Sequence, residues 1–209
     1  MEIQTLLLFV VASLSINLIP GQDVVYIVSN TMAGKLKMGL RAATGLGVGY
    51  FVHTFAAVFG LSAIIVNSAV AFMAVKYLGA AYLLYLGICA LRNFFSGNSK
   101  ITISASDAGN NANVFKQGVM VAVLNPKVAL FFLSFLPQFI DPKAASPESQ
   151  LLLLGVVFCI TATLCNLSYA IVGSWLFSSA KSQRFSRVIE GTSGVLLIGL
   201  AGKIALSRE

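Results

Sequence analysis

Charge is scarce in this chain: 10% of the residues are charged, 7 are acidic, and there is a single histidine. A soluble domain has about a quarter of its residues charged. Here the hydrophobic share is 57% and the mean hydropathy +0.88, which leaves far too little polar surface to face water. The composition excludes a water-soluble fold and implies an integral membrane protein. Cysteine is equally sparse. Cys89, Cys159 and Cys165 all lie in apolar runs without CxxC spacing, which argues against disulfides and a metal cluster. His53 stands alone, with no GxSxG frame to supply a nucleophile, so neither an enzyme activity nor a metal or cofactor is expected. The net charge of +7 would suit a nucleic-acid binder, but the basic residues fall mainly in short gaps between apolar runs. That placement follows the positive-inside rule and excludes a nucleic-acid partner.

What is abundant is apolar length. A helix needs roughly 20 apolar residues to cross about 30 Å of hydrocarbon. Runs of that kind cover Ile3 to Ser29, Ala42 to Val66, Val70 to Leu91, Val114 to Ile140, Leu151 to Phe177 and Val188 to Leu206. The expected fold class is an all-α integral membrane protein with about six transmembrane helices in one domain, 1–209. The N-terminus has no basic stretch ahead of its apolar run, so the first helix is expected to remain in the mature protein. Residues 93–113 are rich in Ser, Asn, Gly and Asp and read as a mobile loop. They divide the chain into repeat one, 1–92, and repeat two, 114–209. Lys35, Lys37 and Arg41 in the first gap, Arg92, Lys100 and Lys116 around the third, and Lys181, Arg184 and Arg187 in the fifth mark those gaps as cytoplasmic. Both termini are then expected outside.

Three helices per half is an odd number, so halves that repeat each other must enter the membrane in opposite directions, the inverted-repeat logic of secondary transporters. Both halves are broken at a comparable place. The first helix carries Asn17-Leu18-Ile19-Pro20-Gly21-Gln22-Asp23, and the fourth carries Asn125-Pro126-Lys127. Proline removes a backbone donor and clashes with the carbonyl four residues back, and glycine loosens the helix further. Carbonyls freed this way are tolerated in hydrocarbon only where protein or a water-filled cavity satisfies them. Beside each break stands an ionisable residue, Asp23 and Lys127, whose charge is costly there unless paired or hydrated. By sequence depth the two lie about 10 Å apart along the membrane normal, so a direct ion pair is allowed but not required.

Other polar groups have two readings each. His53, near the middle of the second run, is a proton relay or a hydrogen bond to a neighbouring helix. Tyr82, Tyr85 and Asn166 bind polar atoms of a substrate or tie helices together. Gly45 and Gly49 have GxxxG spacing but lack the strand and glycine order of a dinucleotide site, and read as helix packing.

Pro20-Gly21-Gln22-Asp23, Gly34, Gly39, the Gly45 to Gly49 helix, Gly79-Ala80-Ala81-Tyr82-Leu83 and Leu124-Asn125-Pro126-Lys127 together resemble the LysE/RhtB family of amino-acid exporters. The resemblance spans nearly the whole chain in length, helix count and motif order. It departs at Gln22, where the family usually has a second proline. It implies export of amino acids or closely related small metabolites across a bacterial-type cytoplasmic (inner) membrane, by an antiporter driven by the proton gradient or the membrane potential. An amino acid needs one positive and one negative feature within a zwitterion's span. Lys127, with backbone amides freed at Pro126, is expected to hold the carboxylate. Asp23, with carbonyls around Asn17 to Pro20, is expected to hold the ammonium. Asn17, Gly21, Asn125 and Tyr82 complete the expected lining, and Asp23 or His53 is the candidate proton carrier. The expected partners are a small-molecule substrate, the bilayer and protons, with a homo-oligomer left open. The rivals are a passive channel, an exporter of another solute, and a thiol redox protein, whose Cys159 and Cys165 lie off the same helical turn.

Overall fold

The computed structural model describes residues 3–61, 69–96, 111–141, 146–176 and 181–206. Every element among them is helical: α1 (Ile3–Leu18), α2 (Gln22–Ala56) with a π-helical turn at its end (Ala57–Leu61), α3 (Ala69–Ser96), α4 (Asn111–Val123), α5 (Pro126–Ser134) with a 3-10 turn after it (Leu136–Phe139), α6 (Pro147–Leu176) and α7 (Lys181–Leu206). Within the described residues the expected apolar runs are thus mainly helical, and several helices extend beyond the runs because helix ends tolerate the polar residues that border a membrane; 62–66 of the second run and 177 of the fifth lie outside the described residues. Of the expected loop, the residues up to Ser96 are helical, the helix resumes at Asn111, and 97–110 lie outside the described residues. So do the second gap around Asn67 and Ser68, and 142–145 in the fourth.

α2 with its π-helical end consists of two helical stretches, Gln22–Ala33 and Lys35–Gly60, that meet at Gly34, where the chain reverses direction. Lys35 takes a left-handed backbone (φ 61°), which L-residues other than glycine and Asn or Asp rarely adopt. The proof is Gly39, where a Cβ would collide with the side chain of Thr31. In a straight helix two residues eight apart are about 12 Å apart along the axis. The outcome is a first span, Ile3–Leu18 plus Gln22–Ala33, bent by 55° at its break, then a second span, Lys35–Gly60. In the second half, residues 113–123 and Pro126–Phe139 form the corresponding bent pair at 46°, and Pro147–Val172 the long straight helix. Among the described residues two helices are long and apolar enough to cross a membrane alone, and the bent pairs bring the number to four. α3 contributes a shorter apolar stretch, Ala80–Ser96, and pairs with α7. The element order of a bent pair, a long helix and a third helix therefore occurs twice.

α2 runs along both α4 and α6, while α1 lies against α6 and α7. The α2 and α4 contact is backbone to backbone. A Cβ on Gly45 would strike the Phe115 carbonyl, and one on Gly118 would lie 2.9 Å from the Ala42 carbonyl oxygen, so both helices need glycine here. The expected packing role of the GxxxG segment is what the structure shows. Inside, Phe9, Phe131, Phe135, Phe139 and Phe158 form a buried aromatic cluster with tilted and edge-on contacts. Outside, Val48, Phe51, Val52, Phe55 and Phe59 on α2 and Leu152, Leu153, Ile160, Leu164 and Ile171 on α6 are exposed. An apolar exterior around a core that holds polar groups is the arrangement a lipid solvent demands.

Candidate functional site

The two breaks meet in the core, and they are built differently. Pro126 drives the preceding residue out of the helical region, so Asn125 is extended (φ −75°, ψ 109°) and α4 ends before it. The Asn125 side chain caps α5, its Oδ1 accepting from the Lys127 backbone N–H at 3.0 Å, with Pro126 at the first helical position where no N–H is needed. At the first break Gly21 precedes α2 without a capping side chain. A Cβ on Gly21 would sit 3.2 Å from Lys127 Nζ, so glycine leaves room there for the ammonium.

Asp23 lies in the first turn of α2, where the helix dipole favours a carboxylate. It is buried, and three side chains converge on it. Asn125 Nδ2 donates to Oδ1. Tyr50 Oη donates to Oδ2 at 3.0 Å. Lys127 Nζ stands 3.9 Å from Oδ2, with its side chain only 14% exposed. The same ammonium donates to the Ile16 and Ile19 carbonyls, both at 3.3 Å, in the segment leading into the Pro20-Gly21 break. Asn166 Nδ2 donates to Tyr50 Oη at 2.9 Å, which extends the network to α6, and Tyr169 Oη donates to the Leu18 carbonyl at 2.7 Å. Carbonyls freed by the first break are therefore satisfied by side chains from the second half.

Of the residues expected at the site, Asp23, Asn125 and Lys127 come together, with Gly21 against Lys127. The 10 Å offset read from sequence depth does not persist, because the breaks bring the starts of α2 and α5 side by side. Asn17 is buried on α1, but its Nδ2 donates to the Ser13 carbonyl one turn back. His53 does not touch Asp23. Its Nε2 is 3.0 Å from the Ala122 carbonyl oxygen at the second break, which also accepts the Asn125 N–H at 3.2 Å. Tyr82 lies on α3 with its ring stacked on Tyr85 (centroids 6.4 Å apart), and among the described residues it makes no hydrogen bond to this cluster. Tyr50 and Tyr169 are participants that sequence reading did not single out, and Asn166 entered it only as a polar group in an apolar helix. The phenols sit in ordinary apolar helices, and their partners lie 27 and 151 residues away in the chain, as Asn166 lies 116 residues from Tyr50. Among the described residues no group of three His, Cys, Asp or Glu side chains is placed to hold a metal ion. The cysteines are free thiols, and Cys159 Sγ lies 3.4 Å from Thr54 Oγ1.

A buried carboxylate and ammonium at two unwound helix junctions, inside an apolar shell, is a polar centre suited to a small solute with both charges. Comparison with known proteins bears on the family and not on these residues. The chain is 31% identical over 212 residues to an uncharacterized membrane protein of Bacillus subtilis, YrhP, covering 97% of this chain and 99% of that protein. It is 31% identical to a leucine efflux protein of an Enterobacter species, over 94% of this chain and 93% of the relative. It is 29% identical to a leucine efflux protein of Salmonella choleraesuis, over 94% and 92%. No solved structure matches. The model of the LysE type translocator family matches residues 14–208, and the chain belongs to that family of membrane translocators.

Proposed function

We propose that this protein exports amino acids from the cytoplasm as a secondary transporter, and that Asp23 and Lys127 hold the zwitterion. The observation that carries the reading is the position of the Lys127 ammonium. It rests on the Asp23 carboxylate and on two carbonyls freed at the first break, which is the set of acceptors an amino acid's ammonium requires. Lys127 is then a tethered stand-in for the substrate ammonium. An incoming amino acid places its own ammonium on Asp23 and the Ile16 and Ile19 carbonyls, and its carboxylate draws Lys127 away. The pair is neutral alone and stays neutral with a bound zwitterion, so neither state buries an uncompensated charge.

Alternating access then consists of one three-helix half rocking on the other about the junction, with the basic gaps and thus the loading side in the cytoplasm and both termini outside. A proton reaching Asp23 removes the charge that holds the substrate ammonium and favours release. His53, bonded to a carbonyl of the second break, is the alternative carrier. The leucine efflux relatives make leucine the first substrate to assay.

The test is efflux of labelled amino acids from proteoliposomes, with and without a proton gradient, for wild type, Asp23→Asn and Lys127→Ala. Saturable, gradient-dependent efflux that both variants abolish supports the reading. Non-saturable flux identifies a channel, and wild-type efflux by both variants removes the pair from the site.

A further inference from the structure

Beyond the charged pair, a cleft of about 340 Å³ lies between the end of α2 and α5, lined by His53, Ala56, Ala57, Gly60, Ala129, Phe132 and Leu133 and open to the exterior on the side of Ala56, Gly60 and Leu133. Its wall carries no charged residue, and His53 is its one polar side chain. From Tyr50, which holds Asp23, the α2 wall follows at helical spacing through His53, Ala57 and Gly60. From Asn125, which also holds Asp23, the α5 wall begins one turn on at Ala129. His53 and Ala129 are thus displaced from the pair's two supports by about 4.5 and 6 Å along their helices. A continuous aromatic contact joins the two places. The Tyr50 ring packs edge-on against Phe158 (5.7 Å), Phe158 against Phe132 (4.9 Å), and Phe132 lies 5.8 Å from the His53 ring.

Two features keep the space open. Ala56, Ala57, Gly60 and Ala129 are small where larger residues would fill it, and a Cβ on Gly60, itself exposed, would meet no atom of the described residues within 4 Å. Ala57 and Gly60 also belong to the π-helical turn, which shifts the α2 register where the cleft begins. π-helical turns are rare and recur at functional sites.

We infer that this cleft is the side-chain compartment of the transport site, taking the apolar side chain of an amino acid whose ammonium and carboxylate are held by Asp23 and Lys127. The inference rests on the exporter reading and adds a substrate class to it: branched or unbranched apolar side chains of leucine or methionine size, with charged side chains rejected by the uncharged wall. Gly60 and Ala129 are the residues that set the admissible length.

The experiment measures proteoliposome efflux of alanine, leucine, methionine and lysine by wild type, Gly60→Leu and Ala129→Leu, each checked for a monodisperse reconstituted protein. A side chain added at Gly60 meets none of the described residues at its Cβ, so the test does not hang on Ala129→Leu folding. The inference expects wild type to prefer leucine and methionine to lysine, and either variant to lower leucine efflux relative to alanine by about tenfold or more, the discrimination an apolar pocket gives for its lost volume. Unchanged side-chain preference in both variants, as expected if an acyl chain of the bilayer rests in the cleft, overturns it. So does an equal fall for alanine and leucine, or a wild type that moves amino acids but prefers lysine. Wild type that moves none of the four removes the exporter reading and the compartment with it.

Discussion

The breaks of the first and second halves bend the chain by similar angles, 55° and 46°, yet solve the problem of a broken membrane helix in opposite ways. The second break is self-sufficient at the start of its new helix: Asn125 caps it and proline occupies the position that needs no donor. The first has no capping side chain at Gly21, and its freed carbonyls at Ile16, Leu18 and Ile19 are taken by Lys127 and Tyr169 from the other half. One break is a rigid platform, and the other is completed only when the platform's lysine sits in it. In the proposed mechanism it is this cation, held against an incomplete break, that a substrate ammonium displaces. A finished cap offers no such opening.

The comparison breaks hardest at the pair itself. Asp23→Asn or Lys127→Met alone leaves the other charge buried without its partner, and thermal unfolding in detergent should show a loss of about 3–5 kcal/mol together with loss of efflux. The double variant should recover most of the stability and none of the efflux. Removing the cap is next. Asn125→Ala loses both the bond to Asp23 and the cap on Lys127, at about 1–2 kcal/mol for the cap alone, and should lower efflux several-fold. Tyr50→Phe leaves Asp23 and Asn166 each one bond short and should cost about 1–3 kcal/mol, read as a lower melting temperature. His53→Ala should cost only about 1 kcal/mol, since the Ala122 carbonyl keeps the Asn125 N–H. An abolished response to the proton gradient would instead make His53 the carrier. The smallest effect is expected for Gln22→Pro. Gln22 is the first residue of α2, where proline is accommodated, so stability should change by no more than about 0.5 kcal/mol and efflux should persist.

The helices and both breaks were legible in the sequence because the bilayer imposes a minimum apolar length, and Pro-Gly and Asn-Pro stand out against it. The meeting of Asp23 and Lys127 was legible for a related reason: a charge inside an apolar run is costly unless paired or hydrated, and here the two pair. Tyr50, Asn166 and Tyr169 were not assigned to the site from sequence, because a phenol or an amide in a membrane helix is ordinary and only the fold reveals which carboxylate or carbonyl it meets. Tyr82 shows the converse. It belongs to a segment that carries the family resemblance, yet its ring stacks on Tyr85, itself 61% exposed, on α3. The turn between the first two spans was legible as the basic gap at Lys35, Lys37 and Arg41, but its tightness was not: the helices meet at Gly34 with Lys35 in a left-handed backbone, and no stretch of polar residues separates them.

The central claim is that the Lys127 ammonium holds the place of the substrate's. The most direct measurement is leucine-for-leucine exchange in proteoliposomes without any gradient, which reads the binding and reorientation of the site separately from energy coupling. Exchange by wild type, lost in both Asp23→Asn and Lys127→Met and in their double variant, is the predicted result. Exchange at the wild-type rate in any of the three would contradict it.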